Sequence, residues 1–170
     1  WGLAWTLFEL CGAFIAVLLF RLVRFEESLS EPALFAYSPP LLVRCMSEFL
    51  GVFVLVLTVG LNVIMASPAV AFSAAAALMC MIYSLGDVSG AHFNPAVTLA
   101  IVASGRRKCS SADGIVYSMV QMISGVCAGL LVRCFHVAGP NSGTSYKLLP
   151  GPTYTTSQAG AVDMLFTFVL

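Results

Sequence analysis

Three polar residues in one short apolar stretch belong to the residue types that carry out nucleophilic catalysis. Asp87, Ser89 and His92 supply an acid, a hydroxyl and an imidazole within six positions. Catalytic triads of this kind are recognised by geometry and are normally assembled from distant segments of a chain. A hydrolase is therefore kept only as a minor alternative, and His92 is expected to order its loop by hydrogen bonding rather than to titrate.

An asparagine followed by a proline offers a different chemistry two residues later. The Asn94 side-chain oxygen can accept hydrogen bonds from free N–H groups at the start of a helix, and Pro95 has a helical φ and no N–H. The pair predicts a helix that begins at Pro95. Gly105 can close this helix in the left-handed conformation, and three basic residues follow.

The length of this predicted helix determines what it can do in a membrane. Residues 95–103 would rise roughly 13 Å at about 1.5 Å per residue. That is less than half of the ~30 Å hydrocarbon core, so the helix can enter a bilayer but cannot cross it. Non-helical backbone at this depth must be buried in protein or line a wet cavity. The approach segment 86–93 is therefore predicted to line such a cavity.

Acidic residues inside apolar segments are the remaining candidates for chemistry. Glu48 lies within a predicted span, where a carboxylate is costly and usually faces the interior of the bundle with a partner. Snorkelling to the interface is the alternative. Together with Glu9 and Asp163, Glu48 also leaves open a secondary transporter with broken helices, although such a protein would need more ligands at the midplane.

The composition indicates a membrane protein with several spans. Of the 170 residues, 59% are hydrophobic and only 9% are charged, against about 25% charged residues in soluble domains. The net charge of zero gives no reason to expect a nucleic acid partner. The six cysteines form no Cys-x-x-Cys pair and have no histidine at ligand spacing, so no disulfide framework, metal or other cofactor is predicted.

Apolar runs and breaker residues divide the chain into about five spans and one half-helix. Charge and proline mark 25–40 as a linker, and glycine and proline mark 136–158 as a long loop. The predicted helices are residues 1–24, 41–65, 68–85, 95–103, 112–135 and the start of a further helix at 159–170.

The basic residues predict an orientation. If the helix at 95–103 returns to the side it left, six of the eight basic residues lie on the side of the linker 25–40 and of residues 104–111. The positive-inside rule then makes these segments cytoplasmic and places the loop 136–158 on the opposite side. A full crossing by 95–103 would separate the basic residues, so the charges favour the half-helix.

The segment 86–98 resembles the first half-site of the aquaporin family, the water and glycerol channels. It reads Gly-Asp-Val-Ser-Gly-Ala-His-Phe-Asn-Pro-Ala-Val-Thr and follows an apolar helix. The resemblance implies an all-α membrane protein, an aquaporin-like bundle of tilted transmembrane helices with a re-entrant half-helix. The family's second half-helix and its arginine lie outside the 170 residues, so the chain alone is expected not to conduct.

The resemblance also implies roles for individual residues. The implied pore motif is Asn94, Pro95 and Ala96. The implied pore-lining residues are Gly90, Ala91, His92, Val97 and Ala74. In such a pore the carbonyls of residues 90–92 would accept hydrogen bonds and the Asn94 amide would donate them. Glu48, Gln121 and Asp163 brace the loops. By the family's spacing Ala74 falls at the outer constriction, where alanine favours solutes larger than water; a local gap that placed Phe72 there would reverse this.

Function and organisation follow from the same resemblance. A passive channel for water or small neutral solutes such as glycerol, closed to ions and protons, is expected in a lipid bilayer, as a homotetramer at full length. The alternative is a non-conducting half-channel that acts as a scaffold or regulatory subunit. Residues 41–170 resemble the first half of an aquaporin unit. Trp5 and residues 11–19 are similar to the family's last helix, which suggests a preceding unit in a tandem chain or an extra N-terminal helix.

Overall fold

The structure is a computed structural model that describes residues 2–24, 37–137, 142 and 153–169. Most of the predicted linker 25–40 and of the predicted loop 136–158 lies outside these residues, as do Trp1 and Leu170. The described part is entirely helical apart from turns and loops. Its six helices are α1 (Gly2–Val23), α2 (Leu41–Ile64), α3 (Val70–Ser89), α4 (Pro95–Ala103), α5 (Ser111–Phe135) and α6 (Thr156–Val169).

Four of the described helices are long and apolar enough to cross a membrane, namely α1, α2, α3 and α5. About five spans were expected. The fifth corresponds to α6, which has 14 described residues and therefore rises only about 21 Å. Large apolar side chains such as Phe8, Phe72 and Met122 are exposed on the outside of the bundle, as they are where lipid is the solvent. The protein is an all-α membrane protein.

The bundle is built around α2, which packs against α1, α3 and α5, while α4 packs against α5. Apolar residues from α1, α2, α3 and the loop before α4 form the buried cluster Val23, Val52, Leu85, Val88 and Phe93. Beside it lie buried polar residues of α2 and α5, including Glu48 and Gln121. The core is therefore polar on the side where α2 and α5 face α4.

The third helix is longer than its sequence indicated. It was expected to end at residue 85, but it continues to Ser89. Neither Gly86 nor Asp87 breaks it, and Gly90 ends it in the left-handed conformation at φ +91°, with its N–H donating to the Gly86 carbonyl at 2.9 Å. The segment before the half-helix is therefore only residues 90–94, which we call the approach loop.

The short helix α4 begins near the middle of the bundle and runs back toward one end. It is antiparallel to α5: Thr98 Oγ1 lies 3.1 Å from Gln121 Nε2, whereas Val102, one turn later, packs against Gly114 near the start of α5. Asn94 precedes Thr98 by one turn, so it is level with the middle of the 25-residue α5. Gly105, at φ +70°, follows the end of α4.

Only some of the glycines lie at close contacts between helices. No other described residue lies within 4 Å of a Cβ built on Gly125 or Gly129 of α5. Instead, a Cβ on Gly51 would overlap the Phe93 ring, and one on Gly114 would come within 2.8 Å of the Val102 side chain. These two glycines let the approach loop and α4 lie directly against α2 and α5.

One end of the bundle collects the basic residues. There the Arg24 guanidinium donates to the Ser84 carbonyl at 3.0 Å, and Arg44 of α2 pairs with Asp113 of α5 at 3.1 Å. The loop between α4 and α5, with Arg106, Arg107 and Lys108, joins helix ends at the same place. We call this the basic end of the bundle.

Candidate functional site

The carboxylate of Glu48 is the centre of the site. It is fully buried at the inner face of α2, which contradicts the snorkelling alternative. One oxygen accepts hydrogen bonds from the Ser89 hydroxyl at 2.6 Å and the His92 N–H at 3.0 Å. The other accepts from the Phe93 N–H at 2.7 Å and the Gln121 amide at 2.8 Å. Glu48 therefore connects α2 to the end of α3, to the approach loop and to α5.

A second set of hydrogen bonds joins α5 to α4. The Gln121 amide nitrogen that donates to Glu48 also lies 3.1 Å from the Thr98 hydroxyl. Thr98 in turn lies 3.2 Å from His92 Nδ1 and donates to the Asn94 carbonyl at 3.0 Å. Thr98 was not singled out from the sequence. Its position four residues after Asn94, on the same helix face, was the available signal.

The approach loop has an unusual backbone. Gly90, Ala91 and Phe93 all have positive φ, at +91°, +48° and +48°. This conformation costs roughly 1–3 kcal/mol for a residue other than glycine, and it persists only where surrounding contacts enforce it. Here the two hydrogen bonds from the His92 and Phe93 N–H groups to Glu48 supply that restraint.

The carbonyl groups of the approach loop remain available to other donors. Within the described part of the chain, no N–H or O–H group donates to the carbonyl oxygens of Gly90, Ala91 or His92. The Asn94 side chain is the cap that its sequence predicts, because its oxygen accepts from the Ala96 N–H at 2.8 Å. Its NH₂ group has no acceptor among the described residues. The approach loop thus presents three carbonyl acceptors, followed by the NH₂ donor group of Asn94.

A cavity of about 770 Å³ lies beside this loop. Of the residues predicted to line a pore, Gly90, His92 and Val97 border it, whereas Ala74 and Ala91 do not. None of the three motif residues Asn94, Pro95 and Ala96 borders this cavity. Ala74 is half-buried on α3. The cavity also reaches the basic end of the bundle, where it is bordered by Arg44, Arg106 and Lys108.

Comparison of the sequence with models of known protein families finds one match. Residues 36–170 match the model of the family described as major intrinsic protein. This chain belongs to that family. The match covers α2 to α6 and hence every residue of the site described above. It leaves out α1, whose predicted place in a preceding unit stays a prediction.

Curated relatives of this major intrinsic protein include channels from bacteria, plants and amoebae. The chain is 33% identical over 129 residues to glycerol uptake facilitator protein-like 6 of Lactiplantibacillus plantarum, and the alignment covers 74% of the chain and 59% of the relative. It is 31% identical over 150 residues to aquaporin NIP1-1 of Arabidopsis thaliana, covering 82% and 50%. It is 36% identical over 98 residues to aquaporin-B of Dictyostelium discoideum, covering 55% and 33%.

The chain spans about half the length of the curated relatives it matches. No solved structure matches it.

The polar residues that raised the hydrolase alternative do not form a relay in this major intrinsic protein. The Ser89 hydroxyl donates a hydrogen bond to Glu48, and His92 Nδ1 contacts Thr98 rather than Ser89. Asp87 is exposed on α3. The Ser89 oxygen instead accepts from the Ala91 N–H at 3.1 Å, so it helps to shape the approach loop.

No group of three or more His, Cys, Asp or Glu side chains in the described ranges is arranged to hold a metal ion. All six cysteines are unpaired. Burial raises the pKa of the Cys109 thiol, which lies in the loop between α4 and α5, and the nearby Asp113 carboxylate raises it further. Cys109 is therefore a neutral thiol at neutral pH rather than the thiolate that metals prefer.

Asp163 was predicted to brace a loop in the way Glu48 does. It is exposed on α6 and forms no hydrogen bond or ion pair with any described residue. Its bracing role stays a prediction.

Tyr117 of α5 and Arg44 of α2, which the sequence analysis did not single out, lie between the approach loop and the basic end. The Tyr117 hydroxyl, almost fully buried, donates to the Ser89 carbonyl at 3.1 Å, directly before Gly90. The His92 ring packs edge-on against the Tyr117 ring, with centroids 5.3 Å apart. The Arg44 guanidinium lies 6.0 Å from the centre of that ring while it pairs with Asp113. A tyrosine within a span carries no sequence signal for such a contact.

Replacing Tyr117 with phenylalanine is expected to lower the free energy of unfolding by about 1 kcal/mol, because the buried Ser89 carbonyl loses its donor. Unfolding by SDS in mixed micelles, followed by circular dichroism, measures this. The matched control is Tyr83→Phe, since Tyr83 is 82% exposed and should change stability by less than about 0.5 kcal/mol. Equal effects of the two variants would contradict the role assigned to Tyr117.

Proposed function

We propose that this protein is a passive channel for water and small neutral solutes, and that it excludes ions and protons. The observation that carries the proposal is the approach loop, where the carbonyls of Gly90, Ala91 and His92 and the Asn94 NH₂ group lack partners among the described residues. A neutral molecule that both donates and accepts hydrogen bonds matches this sequence of groups.

The proposed pathway follows the inner face of α4. Water would donate to the loop carbonyls in turn and accept from the Asn94 amide near the middle of the bundle. Val97 would offer an apolar surface opposite, so that few competing contacts hold the molecule back. Pro95, at the first helical position, and Ala96 expose the start of α4 at this point.

The same geometry supports the proposed exclusion of ions. The N-terminus of a helix carries about half of a positive elementary charge, and here it lies level with the bundle centre. A proton or cation that reached Asn94 would meet this potential and an amide that donates rather than accepts. Glu48 offers a cation no free acceptor in the pathway, because its two oxygens already accept four hydrogen bonds.

In this proposal Glu48 and Gln121 are the braces of the pore. They hold the approach loop against α2 and α5 in a conformation that its own residues disfavour. Asp163 is proposed to play the same part in a second, related half, and residues 41–170 to form the first half of an aquaporin unit. α1 is proposed to be the last helix of a preceding unit, and the full-length protein to be a homotetramer.

The solute is proposed to be larger than water, such as glycerol. Support comes from the small Ala74 on α3 and from one relative's name, a glycerol uptake facilitator. The basic end is proposed to be cytoplasmic, because the positive-inside rule places most Lys and Arg residues there.

The test uses Asn94→Asp in the complete open reading frame that encodes these residues, reconstituted in liposomes. Aspartate keeps the cap, because its oxygen can still accept from the Ala96 N–H, but it removes the NH₂ donor and adds a negative charge. Shrinkage in a sucrose gradient, which reports water flux, and re-swelling in a glycerol gradient, which reports glycerol flux, are each expected to slow several-fold per protein molecule.

The control is Asn62→Asp, since Asn62 lies near the other end of α2 and donates to Thr58. Its permeability should equal that of the unchanged protein. A fast, unaltered Asn94→Asp channel would overturn the proposed role of the amide, and an unchanged protein no more permeable than empty liposomes would overturn the proposed function. The 170-residue chain alone is expected to match empty liposomes.

A further inference from the structure

The cavity beside the approach loop has a polar wall that the passage of neutral solutes does not use. At the basic end three cationic side chains border it: Arg44 from α2, and Arg106 and Lys108 from the loop between α4 and α5. The hydroxyl-bearing residues Ser89 and Ser104 border it as well. We call this wall the basic pocket.

The charges of the basic pocket are only partly balanced. Asp113 accepts from Arg44 through a single contact of 3.1 Å, and the buried Nε donor of Arg44 has no hydrogen-bond partner among the described residues. No described residue forms an ion pair with Arg106 or Lys108. Asp87, the other acidic residue near the end of α3, does not border the cavity. The Glu48 carboxylate lies behind the wall, hydrogen-bonded to Ser89 and His92. Arg44, Arg106 and Lys108 therefore face only the carboxylates of Asp113 and Glu48, and the pocket carries a net positive charge.

The remaining donors suit one class of ligand. A guanidinium presents several N–H groups in one plane, which match the oxygens of a phosphate, while lysine adds a point charge. Basic pockets between membrane helices, near the membrane surface, bind phosphate-bearing head groups for this reason. A neutral solute would gain nothing from three positive charges at this wall.

We propose that the basic pocket binds a phosphate-bearing anion, either free in solution or as the head group of an acidic lipid. The ligand's oxygens would accept from Arg106 and Lys108 and from the unused donors of Arg44. Bound there, it would lie next to Gly90 and His92 at the entrance to the approach loop. A binding measurement tests this pocket, and its outcome does not depend on whether the protein conducts water.

The chain contains a matched control for charge alone. Arg107 lies in the same loop between Arg106 and Lys108 and is exposed as they are, but it does not border the cavity. Arg106→Gln and Lys108→Gln should each weaken binding about fivefold, whereas Arg107→Gln should weaken it less than twofold. Binding of inorganic phosphate, and of phosphatidylcholine vesicles with and without phosphatidic acid, is measured for each variant. Equal losses in all three variants would overturn the proposal, since they would indicate only the general surface charge.

A second measurement needs no variant. Lys108 and Lys147 are the only lysines of the chain, and the sequence predicts that they lie on opposite sides of the membrane. In detergent, inorganic phosphate or phosphatidic acid should slow acetylation of the Lys108 amine several-fold and leave the acetylation rate of Lys147 unchanged. Mass spectrometry of the digested chain measures both rates.

The two measurements also separate the sources of the phosphate. Protection of Lys108 by inorganic phosphate assigns the pocket to a free anion, and protection by micelles containing phosphatidic acid but not by phosphate assigns it to a lipid head group. Both outcomes support the pocket. An acetylation rate of Lys108 that neither ligand changes would overturn it.

Discussion

Replacement of Glu48 by alanine is expected to lower the free energy of unfolding by about 4 kcal/mol or more. The change removes an acceptor from four donors at once, and each buried donor left without a partner costs about 1–3 kcal/mol. Two of these donors are backbone N–H groups of the approach loop, which no side-chain rotation can redirect. The loop would also lose the restraint on its positive φ angles.

SDS-induced unfolding measures the global effect, and amide hydrogen exchange of residues 89–98 measures the local one. Exchange in this segment should become much faster in Glu48→Ala. The matched control is Glu9→Ala, because Glu9 is an exposed carboxylate on α1 and lies outside the hydrogen-bond network. Glu48→Gln should fall between the two, since an amide keeps one of the two acceptor oxygens. A Glu48→Ala protein as stable as Glu9→Ala would show that the carboxylate does not hold the loop.

Gly51→Ala is expected to destabilise the protein by about 1–3 kcal/mol, although alanine is the better helix former. A Cβ at this position would overlap three atoms of the Phe93 ring, which packs against the backbone of α2. The ring is 4% exposed and belongs to the buried apolar cluster, so it has little room to move. Any shift of Phe93 would also strain its hydrogen bond to Glu48.

Two controls isolate this contact. Gly129→Ala on α5 places the same methyl group where no neighbour in the described part of the chain lies within 4 Å, and it should stabilise the helix by about 0.5–1 kcal/mol. In a Phe93→Ala background, where the overlapping ring is absent, Gly51→Ala should no longer destabilise. If Gly51→Ala cost the same with and without the ring, the loss would have to come from another contact.

The half-helix was predictable because local chemistry determines both of its ends. Asn94 and Pro95 define the start of α4 and Gly105 follows its end, so the expected bounds 95–103 are those that the structure shows. The N-cap of α5 is equally local, since the Ser110 hydroxyl accepts from the Asp113 N–H at 3.0 Å. Such signals depend on neighbours within a few residues and need no knowledge of the fold.

The conformation of the approach loop was not predictable, because distant residues impose it. Ala91 and Phe93 have no intrinsic preference for positive φ, and the Glu48 carboxylate, more than 40 residues earlier, accepts the hydrogen bonds that hold the loop in this conformation. The extension of α3 to Ser89 depends on the same acid, through the Ser89 hydroxyl. Family resemblance supplied the roles of Glu48 and Gln121 but gave no indication of Tyr117, whose partner is a backbone carbonyl.

The re-entrant course of residues 86–105 is tested most directly by the depth of spin labels in a bilayer. Single cysteines at positions 67, 87, 96 and 105, in a protein whose six native cysteines are replaced, carry the labels. Electron paramagnetic resonance should place the label at 96 near the bilayer centre, with those at 87 and 105 near one surface and that at 67 near the other. Labels at 87 and 105 on opposite surfaces, or a label at 96 exposed to bulk water, would contradict a half-helix that enters and returns.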